Sequence, residues 1–372
     1  MRTYQKSIDD LLSFDTAELD FTPQFFLLFV GSKVPFISEF VDQLKSSFKD
    51  SLIIGCSTSG EILDDTVKDQ SISLTAVKFE KTEVRLTEIA IDEMSKSRDT
   101  GIKLTEQIEK EGLRHLFVLS DGLNINGAEL VKGITENLPE GVTVTGGLAG
   151  DGADFEKTFV INGEIKDKKI AALALYGEDL KIGYGSKGGW DSFGIERSVT
   201  KAEGSVLYEL DGSPALDVYK RYLGEKANDL PGSGLLFPLS LRIDENKPVV
   251  RTLLGVNEED KSITFAGNIP EGSYVRLMKA NIDRLIDGAA DSAEISNQIS
   301  GGQSQLAILI SCVGRKLVLK QLVEEEIEAV KESLDSQTSI TGFYSYGEIA
   351  PFGEFSPCKL HNQTMTITTF AE

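Results

Sequence analysis

The chain is poor in the residue types that most often bind metals or carry catalysis. It has two histidines, three cysteines and one tryptophan among 372 residues. Cys56, Cys312 and Cys358 are odd in number and far apart, which argues against a disulfide framework. Long apolar runs are also missing. Runs such as Phe25 to Val30 fall far short of the roughly 20 residues a membrane-crossing helix needs. Met1 to Asp15 carries early charges and no apolar signal core, so export is not expected. Positive charge is scarce: 38 basic residues against 59 acidic ones leave a formal net charge of -21. Such a surface repels phosphate backbones and anionic lipid heads, making nucleic acid and membranes poor partners. Together these shortages imply a soluble protein of the reducing cytoplasm.

What is present is an ordinary globular composition, 40% hydrophobic and 26% charged, with length for two domains. The clearest organisation is an internal repeat. In the first unit the apolar run Phe25 to Val30 reads as a strand. Phe36, Phe40, Leu44 and Phe48 then recur at helical spacing, and Leu52 to Ile54 leads into Gly55-Cys56-Ser57-Thr58-Ser59-Gly60-Glu61. The second unit runs from His115 to Ser120 through a helical face of Leu130, Ile134 and Leu138 to Gly146-Gly147-Leu148-Ala149-Gly150-Asp151. The third runs from Leu306 to Ile310 through Leu319, Val323, Ile327, Val330 and Leu334 to Gly342-Phe343-Tyr344-Ser345-Tyr346-Gly347-Glu348. Glu324 to Glu326 reads as the solvated face of that last helix.

Strand–helix–strand units imply parallel pairing and right-handed crossovers, with ligands expected beyond the carboxyl ends of the strands. Between the units, Thr158 to Ile161, Ile170 to Tyr176 and Leu180 to Gly185 read as a meander, turning at Asn162-Gly163 and Gly177-Glu178. Ser213 and Pro214 read as the cap and first turn of a helix bearing Ala215, Val218, Tyr219 and Tyr222. Further strands are expected at Val249 to Val256, Ile263 to Ala266 and Tyr274 to Met278. The expected fold is α/β, in two domains with mixed sheets built partly from the repeated units. The expected division is residues 1–200 and 201–372.

The glycine turns are the first candidates for chemistry. Glycine lets backbone N–H groups converge on an anion or carboxylate. Gly55, Ser57, Thr58, Ser59, Gly60 and Glu61, with Gly146, Gly147, Asp151, Tyr346, Gly347 and Glu348, would suit an amino acid or similar small zwitterion. The plainer reading is that these glycines only make tight turns. No nucleotide-binding fingerprint accompanies them. His115 opens an apolar strand and reads as structural. His361, beside Asn362, is a candidate ligand contact or haem ligand, against a structural role in a terminal turn. Cys358 and His361 are too few for a zinc site. No nucleophile, base and orienting acid can be assembled, so no catalytic residue is assigned and enzyme activity is not expected. A cysteine-dependent hydrolase is the least favoured alternative.

Across these same stretches the sequence resembles the FIST family of bacterial sensory proteins. The resemblance rests on Ile54 to Ile62, Gly146 to Asp151, Glu209 to Tyr219, Ser311 to Arg315, Gly342 to Ile349 and His361 to Thr364, in family order. It implies an N-terminal and a C-terminal FIST domain and an intracellular sensor of a small ligand such as an amino acid. It also implies a separate signalling partner: a histidine kinase, a cyclic-dinucleotide enzyme or a chemotaxis component. Another branch resembles haem-dependent nitric oxide sensors, which makes His361 a candidate axial ligand. Otherwise no cofactor is expected.

Overall fold

The run from Phe25 to Val30 contains no polar residue because both its faces are covered. In the computed structural model, which describes every residue except 243–247 and 355, successive side chains alternate between two cores. Phe25, Leu27 and Phe29 enter a central core. Phe26, Leu28 and Val30 pack outward against Phe40, Val41 and Leu44 of a helix. A strand buried on both faces reads as continuous apolar sequence, whereas one wetted face would impose a polar residue at every second position.

The chain makes three similar circuits. The first comprises β1 (Arg2–Ile8), β2 (Phe25–Gly31), α1 (Ile37–Ser47), β3 (Leu52–Thr58), a hairpin of β4 (Glu61–Leu63) and β5 (Thr66–Lys68), and β6 (Ile72–Lys78). The second repeats this order as β7 (Glu83–Ala90), α2 (Ser97–Glu106), β8 (Leu113–Ser120), α3 (Gly127–Glu136), β9 (Thr143–Leu148), hairpin β10 (Val160–Asn162) and β11 (Ile165–Lys166), and β12 (Lys169–Tyr176). The third opens with β13 (Lys181–Lys187) and is then interrupted by an inserted unit. That insert contains β14 (Asp191–Glu203), β15 (Val206–Leu210), β16 (Ser213–Pro214), α4 (Ala215–Leu223), β17 (Leu239–Arg242), β18 (Val249–Arg251), β19 (Leu253–Asn257), β20 (Ser262–Phe265) and β21 (Tyr274–Lys279). The circuit resumes with α5 (Ile282–Ile299), β22 (Leu306–Cys312), α6 (Val313–Leu319), α7 (Val323–Glu332) and β23 (Ser339–Ser345). Hairpin β24 (Gly347–Pro351) and β25 (Cys358–His361), then β26 (Met365–Ala371), complete it.

Each circuit builds one mixed sheet around a parallel pair: β2 with β3, β8 with β9, β22 with β23. The hairpins do not stay at home. That of the first circuit pairs with β23, that of the second with β3, and that of the third with β9. Every sheet is thus completed by another circuit, and the exchange closes on itself. The three sheets share one core, in which the Phe29 and Phe343 rings lie 4.7 Å apart. Helices cover the outer faces: α1 on the first sheet, α2 and α3 on the second, α5 and α7 on the third. The eight-stranded sheet of the insert, with α4, has a core of its own.

Three expectations are corrected. The apparent meander is not one: its strands β10, β12 and β13 lie in three different sheets. Ser213 does not cap a helix, because Ser213 and Pro214 pair with β15 and α4 starts uncapped at Ala215. Glu326 is not on a wet helix face. It is fully buried against Arg315, which gives Nε to the carboxylate at 2.8 Å and Nη2 to the same oxygen. No helix among the described residues is long and apolar enough to cross a membrane.

Candidate functional site

The three glycine turns meet, and they hold one another. Ser59 N–H donates to the carbonyl of Tyr344 at 2.8 Å, Tyr346 N–H to that of Leu148 at 3.2 Å, and Gly150 N–H to that of Ser57 at 3.0 Å. The first glycine of each turn is there for closeness. A Cβ on Gly55 would sit 2.1 Å from the Leu28 carbonyl oxygen, and one on Gly342 would sit 1.9 Å from that of Leu309. Gly146 makes the same approach to Val118. These are the partners across each parallel strand pair, so the repeated glycines set the spacing of the sheets.

The flanking acids are spent inside the fold. Glu61 accepts from Thr58 Oγ1, from Ser71 N–H at 2.8 Å and from Ser71 Oγ at 2.9 Å. Glu348 repeats this arrangement with Ser345 Oγ at 2.8 Å and Thr364 Oγ1 at 2.8 Å. Burial pushes Glu61 up to about 7 and Glu348 up to about 8, against the pull of these hydrogen bonds. The middle circuit differs because β9 is followed by a longer loop. Its Asp151 accepts from the backbone N–H groups of Phe155, Glu156 and Lys157 at 2.7 to 2.9 Å, and from the Tyr346 phenol. Burial alone would raise the Asp151 carboxyl, but these donors hold it below the usual range. Ser57 and Ser59 serve the same loop, accepting from Phe159 N–H at 3.0 Å and Gly152 N–H at 3.1 Å. Gly60 donates its N–H to Thr58 Oγ1 at 3.2 Å, while Gly147 and Gly347 lie in the paired strands β9 and β24.

His361 stands on β25 with its ring edge against Phe352, and its Nε2–H donates to the Ala350 carbonyl at 2.8 Å. Burial, with Arg251 and Lys359 nearby, pushes it down to about 4. It is therefore neutral and engaged. That bond takes up Nε2, and His361 is not among the residues that line the cavity described next. Asn362 is buried, and its amide finds no partner among the described residues. His115 bonds Thr143 at 2.6 Å and Thr145 at 3.0 Å across the parallel pair. No cluster of His, Cys, Asp and Glu suited to a metal occurs among the described residues.

The space that can take a ligand lies to one side of the turns, where the insert leans over the second and third sheets. It is a cavity of about 600 Å³. The sheets contribute Leu148, Tyr346 and Leu360, and the starts of α3 and α6 contribute Asn126, Gly127, Cys312 and Val313. The insert contributes Thr252, Leu253, Thr264 and Phe265 as the opposite wall. Phe155, from the loop that Asp151 ties down, stacks on Tyr346 with ring centroids 4.5 Å apart and planes 12° from parallel. No charged side chain lines this space among the described residues. Burial, with Glu348 nearby, raises the Cys312 thiol, so it is not poised as a thiolate.

Of the candidate ligand contacts named from sequence, only Tyr346 borders the cavity among the described residues; Cys312, the weighed hydrolase cysteine, borders it as well. The others support it or lie apart from it. The insert wall went unnoticed because apolar residues in short strands look like any core. Four scattered glycines, Gly122, Gly127, Gly232 and Gly267, also border the cavity.

Residues 24–213 match the FIST N domain and residues 215–351 the FIST C domain. The chain is 26% identical over 321 residues to an uncharacterized protein of Methanocaldococcus jannaschii, covering 78% of this chain. It spans about 60% of that relative's length. Among solved structures, a cyanuric acid hydrolase from A. caulinodans aligns over 99% of this chain and 98% of its own, at 6% identity and a TM-score of 0.36. PurLQS from Thermotoga maritima aligns over 94% of this chain and 66% of its own, at 9% identity and a TM-score of 0.18. Scores this low carry no argument about fold or chemistry.

Proposed function

The chain belongs to the FIST family, and from that premise we propose that it is a sensory protein that binds a small, mainly apolar molecule between its three-sheet body and its insert, and signals to a separate partner. The observation that carries this reading is the cavity of about 600 Å³ with one wall on each unit. Its size and apolar lining are those of a small-molecule site. A ligand touching both walls favours whichever arrangement of body and insert fits it, which is what a sensor requires.

The ligand class is an amino acid or similar metabolite. Within that class the lining favours molecules whose bulk is apolar, since among the described residues it offers no side-chain carboxylate to an ammonium group. Glu61 and Glu348, the acids once suited to that task, already have their oxygens filled from within the fold. A binding role also accords with the raised Cys312 thiol and with the lack of a histidine in the lining. The reading places the protein in the cytoplasm, with a kinase, a cyclic-dinucleotide enzyme or a chemotaxis component as partner.

The test is a thermal-shift screen of apolar metabolites on the wild type and on Thr264→Trp, which fills the cavity from the insert side. Compounds that raise the wild-type melting temperature but not that of the variant support the reading. Equal shifts in both proteins refute it.

A further inference from the structure

The cavity wall formed by Thr252, Gly267 and Leu360 is unlike the rest. Thr252 is buried, and its Oγ1 has no hydrogen-bond partner among the described residues. A buried hydroxyl without a partner costs stability unless something else uses it. Directly behind this wall lies the Arg251 guanidinium. A Cβ on Gly267 would sit 2.9 Å from its Nε, and its Nη1 donates to the carbonyl of Leu360 at 3.3 Å.

Arg251 is itself under-satisfied. Only 6% of it is exposed, yet it forms no ion pair with a carboxylate among the described residues. Its other partners are the carbonyls of Val250 at 3.2 Å and Asn268 at 3.4 Å, long for hydrogen bonds from a cation. A buried charge facing only neutral dipoles is expensive, and an incoming anion relieves it. Burial already pulls this guanidinium down to about 10, the direction expected when no counter-charge is near.

We infer that the ligand carries a carboxylate, or a comparable oxyanion, on its apolar body, that Thr252 turns its hydroxyl, closed off from the cavity in its present rotamer, toward this group and donates to it, and that Arg251 supplies the balancing charge from behind the wall. This rests on the proposed ligand cavity and adds the chemical class of its occupant: a small apolar carboxylic acid in its ionised form. A free amino acid fits less well, because its ammonium group meets nothing among the described lining residues that would neutralise it.

The experiment uses two fluorescent probes of one shape, anionic 2-naphthoate and uncharged 2-acetonaphthone, titrated into wild type, Thr252→Val and Thr252→Ser. Wild type should bind the naphthoate tighter than the ketone by on the order of tenfold, the usual gain of a charge-assisted over a neutral hydrogen bond. Thr252→Val should lose most of that preference while melting a few degrees higher without ligand, since it removes an unpaired hydroxyl. Thr252→Ser should keep the preference. Equal binding of both probes by wild type, or a preference untouched in Thr252→Val, overturns this inference and leaves the cavity as a binding site. If neither probe binds at concentrations up to its solubility limit, the cavity reading falls, and this inference with it.

Discussion

Phe155 lies flat on Tyr346 at the edge of the cavity, and the phenol of Tyr346 bonds Asp151, the residue that anchors the loop carrying Phe155. Cover and support are thus one unit. Phe155 is 43% exposed and adopts a left-handed backbone conformation with φ of 55°, which a bulky residue takes up only when its surroundings enforce it. Phe155→Ala should leave the fold intact and uncover the cavity. Cys312 on the cavity wall then reports on access: its labelling by a small maleimide, located by peptide mass spectrometry, should speed up severalfold. An unchanged rate would mean that Phe155 does not cover the cavity.

The buried pair Arg315 and Glu326 makes a second prediction. Arg315 also donates Nη2 to the Leu285 carbonyl at 2.6 Å, tying α6 and α7 to the start of α5. Glu326→Ala strands a cation with no solvent around it and should cost about 3 to 5 kcal/mol in urea unfolding. Replacing both residues by Met and Leu should cost much less than Glu326→Ala alone. If the single and double variants are equally unstable, the loss comes from packing rather than charge.

Stability should fall as pH rises, on account of Glu348. Its carboxyl is pushed up to about 8 in the folded protein, against about 4.3 in an unfolded chain. Between those values the folded state holds a proton that the unfolded state has released, so the contribution is complete below the lower value and is lost as pH climbs through the upper one. Glu61, pushed up to about 7, acts in the same direction over a narrower window. Glu348→Gln keeps a neutral side chain of the same shape. It should therefore shrink the loss of stability between pH 5 and 9 by about 4 kcal/mol. Denaturation midpoints at several pH values measure this, and parallel curves for the two proteins would exclude the assignment.

The glycines at the strand crossings predict a contrast within one residue type. Gly342→Ala forces a methyl group onto the Leu309 carbonyl and should cost about 3 kcal/mol or prevent folding. Gly255→Ala meets nothing within 4 Å and should be close to neutral. Similar losses in both would mean that backbone flexibility, not space, explains the glycine at 342.

Much of this fold can be read locally. The apolar runs, the helical stripes and the glycine turns locate the parallel strand pair of each circuit and the helices α1, α3 and α7 between them, since periodicity reports how each segment is buried, whereas β1, β6, β7, α2, α5 and β26 carry no such signal. Pairing is another matter. Val160 to Asn162 and Ile170 to Tyr176 are alike as strands, and nothing within them says that one joins β3 and the other β8. That choice depends on shape complementarity among distant segments. Glu326 is hidden for a related reason: an acid in an acidic run reads as solvated, and only the fold brings Arg315 to meet it. The cavity was hardest to foresee. Tyr346 stands beside a repeated glycine and is legible for that, but Thr252 and Phe265 owe their position to how the insert leans on the body.

The exchanged hairpins also impose an order on biosynthesis. The first sheet has all its strands once Lys166 has been made, and a nascent chain can complete it early. The second cannot be finished then, because the edge of β9 awaits a hairpin that ends at His361. Throughout the intervening translation β9 presents open backbone donors and acceptors, the condition that invites strands from other chains. Ribosomes that stall within the insert would therefore release products with one sound sheet and one adhesive edge, and cells making this protein have reason to shield that edge until the last hairpin emerges.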